Sequence, residues 1–304
     1  MYDLIIIGGG PAGVAAGIYA ARKRLKTALI SQDIGGQSVN SGSIENFIGI
    51  ETISGFDFAQ QLEKHLRAQQ DIDIFLGSTV SEITTHEGGG FDVRVHTGKV
   101  FSTKTILVAL GSSYKRLDIP GEKQFEGKGV FYCSICDAPL MKGKDVIVVG
   151  GGNSGLEAVL DLIPYAQHVT LLNRSDVLRG DPVYQEKITS YPHVSIRMNT
   201  VVTEFSGDVF LQQAHLRNTS TGQEEDMAIS GAFVAIGYNP NTALIKDLVT
   251  LNERGQIVVD HKTMQTSREG IWSAGDCTDG LYHQNNTAAG DAVKAILNIY
   301  ETLR

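Results

Sequence analysis

The sequence predicts an α/β fold of two three-layer domains, with one domain inserted into the other. A glycine-rich turn between a short apolar strand and a helix occurs twice, and Gly8 and Gly13 of the first copy lie 142 positions before Gly150 and Gly155 of the second. The stretches on either side of the second copy look like two parts of one domain. The length of 304 residues also suits about two domains of ordinary size. We therefore expect two Rossmann-like nucleotide-binding domains.

The first turn has the context that dinucleotide binding requires. Asp3–Ile7 is short, apolar and rich in β-branched residues, which indicates a buried parallel strand. Gly8, Gly10 and Gly13 follow it directly and open a helical segment. Such glycines permit a tight turn and let the backbone approach a pyrophosphate, to which the helix N-terminus donates amide groups. Lys26–Ile30 is the expected second strand.

The second turn repeats this context. Asp145–Val149 is the apolar strand, Gly150, Gly152 and Gly155 form the turn, and His168–Leu172 supplies the second strand. One such turn is weak support, because the pattern often marks nothing more than a bend in the chain. Two of them, each inside a βαβ unit and at the same offset, indicate two nucleotide sites.

Further strands indicate where each sheet continues and where the chain crosses between the domains. Thr105–Gly111 and Gly231–Gly237 are both apolar runs that end in glycine. The crossings are expected near Ser112–Pro120 and Gly237–Thr242, which makes these segments candidates for a hinge. The predicted boundaries are 1–113 together with 241–304 for the outer domain and 114–240 for the inserted one.

The remaining periodicity predicts small antiparallel sheets and a closing helix. Alternating residues between Val80 and Val100, and again between Val201 and Ala228, indicate antiparallel strands joined by polar hairpins. The apolar spacing from Asn286 to Leu303 fits an amphipathic helix.

Composition and charge exclude several classes of function. The formal net charge is −8 with a pI near 5.5, and no stripe of lysine and arginine occurs, so we expect no nucleic-acid partner. Leu4–Ala21 carries no charge, but Gly8–Pro11 interrupts it, so we expect no membrane span. Three cysteines fit a reducing, cytoplasmic location better than secretion.

The stretch Phe131–Asp137 carries the most specific chemistry. Cys133 and Cys136 are separated by two residues, and Asp137 follows at once. In such a turn the first thiolate is often stabilised to a pKa of about 7 and attacks disulfides, while a carboxyl group can carry the proton that exchange must move. A zinc site would need a second ligand pair, and the one other cysteine is Cys277. A structural disulfide across so short a loop would stabilise little, so we favour a redox-active pair and no metal.

Together these motifs resemble the low-molecular-weight thioredoxin reductase family. The matching features are Gly8–Gly13 (GGGPAG), Cys133–Asp137 (CSICD), Gly150–Gly155 (GGGNSG) and Ala274–Cys277 (AGDC), in the family's order and over essentially the whole chain. Other features are similar to the flavoprotein portion of alkyl hydroperoxide reductase: Cys136–Leu140, Gly36 and Gln37, and Ile44–Asn46. The resemblance implies an NAD(P)H-dependent disulfide reductase, with FAD bound by residues 1–113 and 241–304 and NAD(P)H by residues 114–240.

The resemblance also implies a role for each site residue. Cys133 and Cys136 would form the redox-active disulfide, with Cys136 nearer the flavin and Asp137 as the acid/base group. The nicotinamide dinucleotide would be bound at Gly150, Gly152 and Gly155. The FAD would be bound by Gly8, Gly10 and Gly13 at the pyrophosphate, by Gly36, Gln37 and Asn46 along the cofactor, by Gly275 and Asp276 at the ribitol, and by His283 and Gln284 at the flavin.

The nucleotide preference depends on the end of the second strand of the inserted domain. There the family's NADPH-type motif is replaced by Asn173, Arg174 and Ser175, with Arg179 further along. The two remaining arginines suit a 2′-phosphate, and no acid stands at Asn173 to repel it. NADPH is therefore expected, with NADH as the alternative if the arginines are merely solvated.

The expected cycle passes electrons from NAD(P)H through FAD and the Cys133–Cys136 disulfide to an external disulfide on thioredoxin or a thioredoxin-like protein. Ala138–Leu140 departs from the aromatic pair that often follows C-x-x-C-D in thioredoxin reductases, which leaves the acceptor open. The alternative is a dithiol oxidase or a ferredoxin-fed reductase with a degenerate NAD(P)H site. A flavin-binding redox sensor without turnover is a third interpretation, against which Asp137 stands. The resemblance further implies a homodimer.

Overall fold

The computed structural model of the chain describes residues 1–41, 44–86 and 89–304. These residues form two compact units. Unit 1 contains Met1–Val39, Asn46–Ser113 and Asn239–Arg304, and unit 2 contains Asn40–Glu45 and Tyr114–Tyr238. The main segment of unit 2 is thus inserted, in sequence, between two segments of unit 1.

Strands and helices occur in both units. In chain order the strands are β1 (Tyr2–Ile7), β2 (Thr27–Ile30), β3 (Ile72–Phe75), β4 (Val80–Thr85), β5 (Phe91–Val95), β6 (Val100–Val108), β7 (Ser112–Tyr114), β8 (Val130–Phe131), β9 (Asp145–Val149), β10 (His168–Leu172), β11 (Val194–Arg197), β12 (Thr200–Gly207), β13 (Leu211–Asn218), β14 (Glu224–Ala228), β15 (Gly231–Val234), β16 (Tyr238–Pro240) and β17 (Ile271–Ser273). The helices are α1 (Pro11–Arg22), α2 (Gly55–Arg67), α3 (Ser134–Asp137), α4 (Asn153–Leu162), α5 (Pro182–Thr189) and α6 (Asn285–Thr302), and 3₁₀ helices span Gly36–Asn40 and Ala138–Met141. None of the helices in the described ranges is long and apolar enough to cross a bilayer.

Unit 1 is built around a parallel sheet with the strand order β3-β2-β1-β6-β17. Strand β1 lies at its centre because Leu4–Ile7 is an uninterrupted apolar run, and its side chains are buried. Strand β6 is longer than the sequence predicts because its two halves pair differently. Its Val100–Thr103 half pairs antiparallel with β5, and its Ile106–Val108 half pairs parallel with β17. The antiparallel strands predicted from Val80 to Val100 are confirmed.

The closing helix of unit 1 packs against its first helix. Helix α6 begins at Asn285, one residue before the predicted start. Its apolar stripe is buried, with Ala288, Ala292, Ala295, Ile296 and Ile299 on the covered face. The contact with α1 brings the N-terminal turns of two helices into one region of unit 1.

Unit 2 repeats the architecture with one change of connection. Its parallel sheet has the order β11-β10-β9-β15-β8, and β12, β13 and β14 form a separate antiparallel sheet. The α/β fold with two Rossmann-like units is therefore confirmed. The fifth strand differs, because β17 follows the other strands of its sheet in sequence whereas β8 precedes the others of its own.

Parallel strands place their carboxyl ends at one edge of a sheet. In unit 1 that edge carries Gly8 directly after β1 and Gly275 shortly after β17. In unit 2 it carries Gly150 directly after β9 and Cys133 shortly after β8. The candidate residues of each unit thus lie at the edge where α/β sheets generally bind ligands.

Candidate active site

The glycine turn of unit 1 leaves room for a ligand at one of its three glycines. Gly8 has φ +114°, and a Cβ on it would lie 2.2 Å from the Ala109 carbonyl oxygen. A Cβ on Gly13 would lie 1.9 Å from the Gly8 carbonyl oxygen. The packing of the protein therefore requires both residues. A Cβ on Gly10 would meet nothing within 4 Å. Gly36 lies beside Gly10, because a Cβ added to Gly36 would be 3.3 Å from the Gly10 Cα. The space beside Gly10 suits the pyrophosphate of a dinucleotide.

In the glycine turn of unit 2, too, the first and third glycines are required by packing and the middle one borders open space. A Cβ on Gly150 would lie 2.4 Å from the Ala235 carbonyl oxygen, and one on Gly155 would lie 1.7 Å from the Gly150 carbonyl oxygen. A Cβ on Gly152 would meet nothing within 4 Å. Both turns thus fit a dinucleotide, because the middle glycine leaves the backbone open at the N-terminus of the following helix.

Gly275 lies close to the N-terminal turns of α1 and α6, and Asp276 follows it. Gly275 has φ +79°, and a Cβ on it would lie 3.2 Å from the Ala12 Cβ in α1 and 3.4 Å from the Ala288 Cβ in α6. Burial raises the pKa of Asp276, the charge of His283 opposes this rise, and the charge of Asp291 adds to it. Asp276 and His283, which lie seven positions apart, are therefore close enough to interact electrostatically.

The start of α6 is hydrogen-bonded to the loop that contains the predicted FAD residues. Asn46 Nδ2 donates to Gln284 Oε1 at 3.1 Å, and Asn286 Nδ2 donates to the Asn46 carbonyl oxygen at 2.8 Å. Ser38 Oγ donates to Asn285 Oδ1 at 2.8 Å. The structure thus brings Asn46 and Gln284 into contact, although 238 positions separate them.

The side chain of Gln37 has one hydrogen-bonded polar atom and one buried polar atom without a partner among the described residues. Its Nε2 donates to Ser112 Oγ at 3.1 Å, but its buried Oε1 has no hydrogen-bond partner in the described part of the chain. A buried acceptor without a donor is costly, so its retention indicates a donor that is not part of the protein. FAD offers such donors, and the residues of unit 1 fit it.

The redox pair of unit 2 is a disulfide between Cys133 and Cys136. Strand β8 delivers the chain to Cys133, and the four-residue helix α3 then carries Cys136 back toward it. Ser134 Oγ donates to Asp161 Oδ2 of α4 at 2.7 Å, which holds α3 against that helix. Ile135, by contrast, is 62% exposed.

Asp137, which follows Cys136 in sequence, is buried. Its side chain is 6% exposed, and its Oδ1 has no hydrogen-bond partner among the described residues. Burial raises the pKa of Asp137 from 3.8 to about 7. At neutral pH the carboxyl group therefore exists in both protonation states, which suits proton transfer to and from a thiol.

A hydrogen-bond network precedes Cys133, and the sequence did not reveal it. Tyr132 Oη donates to Glu122 Oε1 at 2.9 Å and accepts from Arg116 at 3.0 Å. Glu122 is 2% exposed and also accepts from the backbone amides of Leu117 and Asp118. The network fixes the residue next to the redox pair. These residues lie in a loop without periodicity, so no sequence signal links them.

Asn173 holds its loop together. Its Nδ2 donates to the carbonyl oxygens of Ser175 and Val177, both at 2.9 Å. The adjacent arginines, Arg174 and Arg179, are exposed and form no ion pair with any residue that the structure describes. The arginines are thus available to a ligand, and Asn173 positions the loop that carries them.

Comparison with known proteins identifies the family. A sequence profile described as pyridine nucleotide-disulphide oxidoreductase matches residues 2–292. The chain belongs to the pyridine nucleotide-disulphide oxidoreductase family. Family membership implies binding of FAD and NAD(P)H, and it makes the Cys133–Cys136 pair the redox disulfide of an oxidoreductase.

Within this family the chain resembles two groups of proteins. It is 40% identical over 300 residues to an alkyl hydroperoxide reductase subunit of Staphylococcus aureus, covering 99% of this chain and 59% of that protein. It is 37% identical over 302 residues to a Bacillus subtilis protein named NADH dehydrogenase, covering 99% of this chain and 58% of that protein. The chain thus spans about three-fifths of the length of these curated relatives.

Among solved structures, thioredoxin reductase from Streptococcus pyogenes superposes with a TM-score of 0.93 at 35% identity, covering 100% of this chain and 98% of that one. Thioredoxin reductase from Giardia duodenalis superposes with a TM-score of 0.91 at 30% identity, covering 99% and 98%. The resemblance to thioredoxin reductases, close to the alkyl hydroperoxide reductase flavoprotein, is confirmed.

Proposed function

We propose that the chain is an FAD-dependent disulfide reductase that passes electrons from NADPH to the disulfide of a thioredoxin or a thioredoxin-like protein. The observation that carries this proposal is the pairing of the Cys133–Cys136 disulfide with the buried Asp137, at the same sheet edge as the glycine turn of unit 2. A structural disulfide has no need of a buried neighbouring carboxyl group whose pKa burial raises to about 7.

The residues of unit 1 hold FAD in this proposal. Gly10 would admit the pyrophosphate, Gln37 Oε1 would accept a hydrogen bond from the cofactor, and Asp276 would bind the ribitol. The amides at the start of α6, next to His283, would favour negative charge at the flavin end. Bound FAD supplies two-electron chemistry between a hydride donor and a disulfide. The other FAD residues are Gly8, Gly13, Gly36, Asn46, Gly275 and Gln284.

The disulfide exchange follows from the residues of unit 2. Two electrons break the Cys133–Cys136 bond, and Asp137 holds one of the protons that the two sulfurs need. The Cys133 thiolate attacks one sulfur of the acceptor, whose own S–S bond breaks, and a mixed disulfide forms. The Cys136 thiolate then attacks Cys133, which restores the original disulfide and expels the second acceptor sulfur as a thiolate. The released acceptor becomes a dithiol by taking one proton from Asp137 and one from water.

NADPH is the proposed hydride donor. Support comes from the exposed guanidinium groups of Arg174 and Arg179, because paired arginines bind a phosphate by charge-assisted hydrogen bonds. Asn173 is neutral and bonded within its loop, so it does not repel the 2′-phosphate. NADH is the second candidate, because one relative is named NADH dehydrogenase.

The acceptor has two candidates. Thioredoxin is favoured because solved thioredoxin reductases align with 98% of their own length. The disulfide of a hydroperoxide-reducing partner is the second candidate, because the curated relatives that are named as part of alkyl hydroperoxide reductase are 40% identical. The open space at Gly152 speaks against the alternative of a degenerate nucleotide site.

An anaerobic titration tests the proposal. The FAD-loaded protein is titrated with NADPH and separately with NADH, and flavin absorbance is followed. We expect rapid bleaching by NADPH and uptake of one further two-electron equivalent by the disulfide. In the double variant Cys133→Ser, Cys136→Ser, which lacks the disulfide, full reduction should consume one equivalent of NADPH fewer than in wild type. If neither nucleotide bleaches the flavin while a dithiol or reduced ferredoxin does, the dithiol oxidase or ferredoxin-fed alternative replaces the proposal.

A further inference from the structure

The residue between the two cysteines on the outer side of α3 is an exposed isoleucine. Ile135 is 62% exposed, whereas Ser134 is bonded to Asp161 and Asp137 is buried. In this single turn the polar side chains are thus bonded or buried, and the apolar side chain is the exposed one.

An isolated exposed apolar residue is common on protein surfaces and needs no explanation by itself. The position of Ile135 makes it informative. Thiol–disulfide exchange requires the attacking sulfur to touch a sulfur of the acceptor. Ile135 stands between the two half-cystines in sequence and is the exposed apolar residue of their turn, so it is within reach of an acceptor that approaches either sulfur.

The charge around the disulfide points to the chemistry of the acceptor. From Phe131 to Met141 the one ionisable acid or base with a charge near neutral pH is Asp137, and it is buried. The partly buried Pro139 and Leu140 follow it. Within this segment an acceptor thus meets apolar surface, and the charges next to it are Asp161, which accepts from Ser134, and the exposed Lys142.

We propose that Ile135 is a specificity-determining residue, which selects protein acceptors with an apolar surface beside their disulfide. The inference rests on the proposed reductase function. The exchange itself is unchanged by Ile135: one S–S bond breaks, one forms, and the electrons remain with the sulfurs. Ile135 contributes contact area to the encounter that precedes the exchange.

The test uses the pre-reduced protein, so that neither nucleotide nor flavin turnover enters the rate. Wild type, Ile135→Thr and Ile135→Leu are reduced with a dithiol, freed of it, and mixed with oxidised thioredoxin, with an oxidised two-cysteine peroxidase, or with a small aromatic disulfide. Threonine retains the β-branched shape but replaces apolar surface with a hydroxyl group. Val209→Thr is the matched control, because Val209 is also in unit 2 and is 60% exposed.

We expect Ile135→Thr to slow exchange with the protein acceptor about tenfold, which corresponds to about 1.4 kcal/mol. Exchange with the small disulfide should stay within twofold, Ile135→Leu should restore most of the protein rate, and Val209→Thr should match wild type. Raising the salt concentration should change the wild-type rate little, because the contact is apolar.

Two results would overturn the inference. If Ile135→Thr slows the small disulfide by the same factor, Ile135 acts on the reactivity of the cysteines and not on recognition. If it leaves both rates unchanged, the acceptor does not contact Ile135. Failure of the proposed function is distinguishable, because wild-type protein would then exchange with the small disulfide but with neither protein acceptor.

Discussion

Replacement of Asp137 by asparagine tests whether burial keeps this carboxyl group in a proton-carrying state. The side chain is buried, its Oδ1 has no partner within the described residues, and its pKa is raised from 3.8 to about 7 by burial. Asparagine has nearly the same shape as the protonated acid and cannot ionise. The variant therefore removes the titration and preserves the packing.

The size of the effect follows from the two pKa values. In the unfolded chain Asp137 ionises near 3.8, and in the folded protein near 7. Between these values the folded state holds a proton that the unfolded state has released, so wild-type stability falls as the pH rises and levels off above pH 7. About three pH units at about 1.4 kcal/mol each give a total of about 4 kcal/mol, of which about 3 kcal/mol falls between pH 5 and pH 8.

Urea unfolding of the oxidised, FAD-saturated protein at pH 5, 6, 7 and 8 measures this difference. We expect the free energy of unfolding of Asp137→Asn, relative to wild type, to increase by about 3 kcal/mol from pH 5 to pH 8. Asp208→Asn, which changes an exposed acid in the same unit, is the control: its free energy of unfolding should depend on pH as that of wild type does.

Exchange kinetics complete this test. The wild-type rate of thiol–disulfide exchange should change near pH 7, and Asp137→Asn should lose that feature and react about a hundredfold more slowly. A stability difference that is constant with pH would refute the raised pKa. A pH-dependent stability difference with an unchanged exchange rate would refute the catalytic role and leave Asp137 merely buried.

The remaining predictions concern the glycine turn of unit 1, the two arginines and the Tyr132 network. Gly10→Ala should weaken FAD binding at least tenfold, measured by calorimetry, and alter the stability of the cofactor-free protein by less than about 0.5 kcal/mol. Gly13→Ala, which forces a Cβ against a backbone oxygen, should destabilise the cofactor-free protein by several kcal/mol in urea unfolding. Arg174→Ala combined with Arg179→Ala should raise the KM for NADPH at least tenfold and that for NADH less than twofold, and equal effects on both nucleotides would contradict phosphate recognition. Tyr132→Phe should lower the free energy of unfolding by about 1–3 kcal/mol, because Glu122 loses a buried hydrogen-bond donor, and an unchanged urea midpoint would exclude this role.

The parts of the fold that depend on local pattern were predictable from the sequence. The two glycine turns, the strands before them and the closing helix follow from short-range chemistry and periodicity. The spacing of Cys133 and Cys136, with no second ligand pair for zinc, indicated a redox-active pair, and the family resemblance implied their disulfide. The double use of β6 was not predictable, because it depends on which partners reach each half of the strand from distant parts of the chain.

The parts of the site that depend on burial could not be predicted. The resemblance implied that Gln37 lies along the cofactor, but not that its Oε1 would be buried without a donor. Asp137 was expected to exchange protons, but its raised pKa comes from residues that pack around it after folding. The loop-internal bonds of Asn173 depend on the path of the chain after β10. Tyr132 and Glu122 meet across ten positions that hold turns and the two-residue strand β8, a stretch without a sequence period.

The origin of the fifth strand has a consequence for the order in which the chain folds during synthesis. Every strand of the unit 2 sheet, including β8, has been made once residue 238 has left the ribosome. The unit 1 sheet still lacks β17 at that point, and α1 still lacks the helix that covers it. The sheet of unit 2 can therefore form while β6 of unit 1 still lacks its partner strand β17. Gly275 and α6 are also synthesised after residue 238, so the proposed FAD site of unit 1 cannot be complete before all strands of the unit 2 sheet have been made.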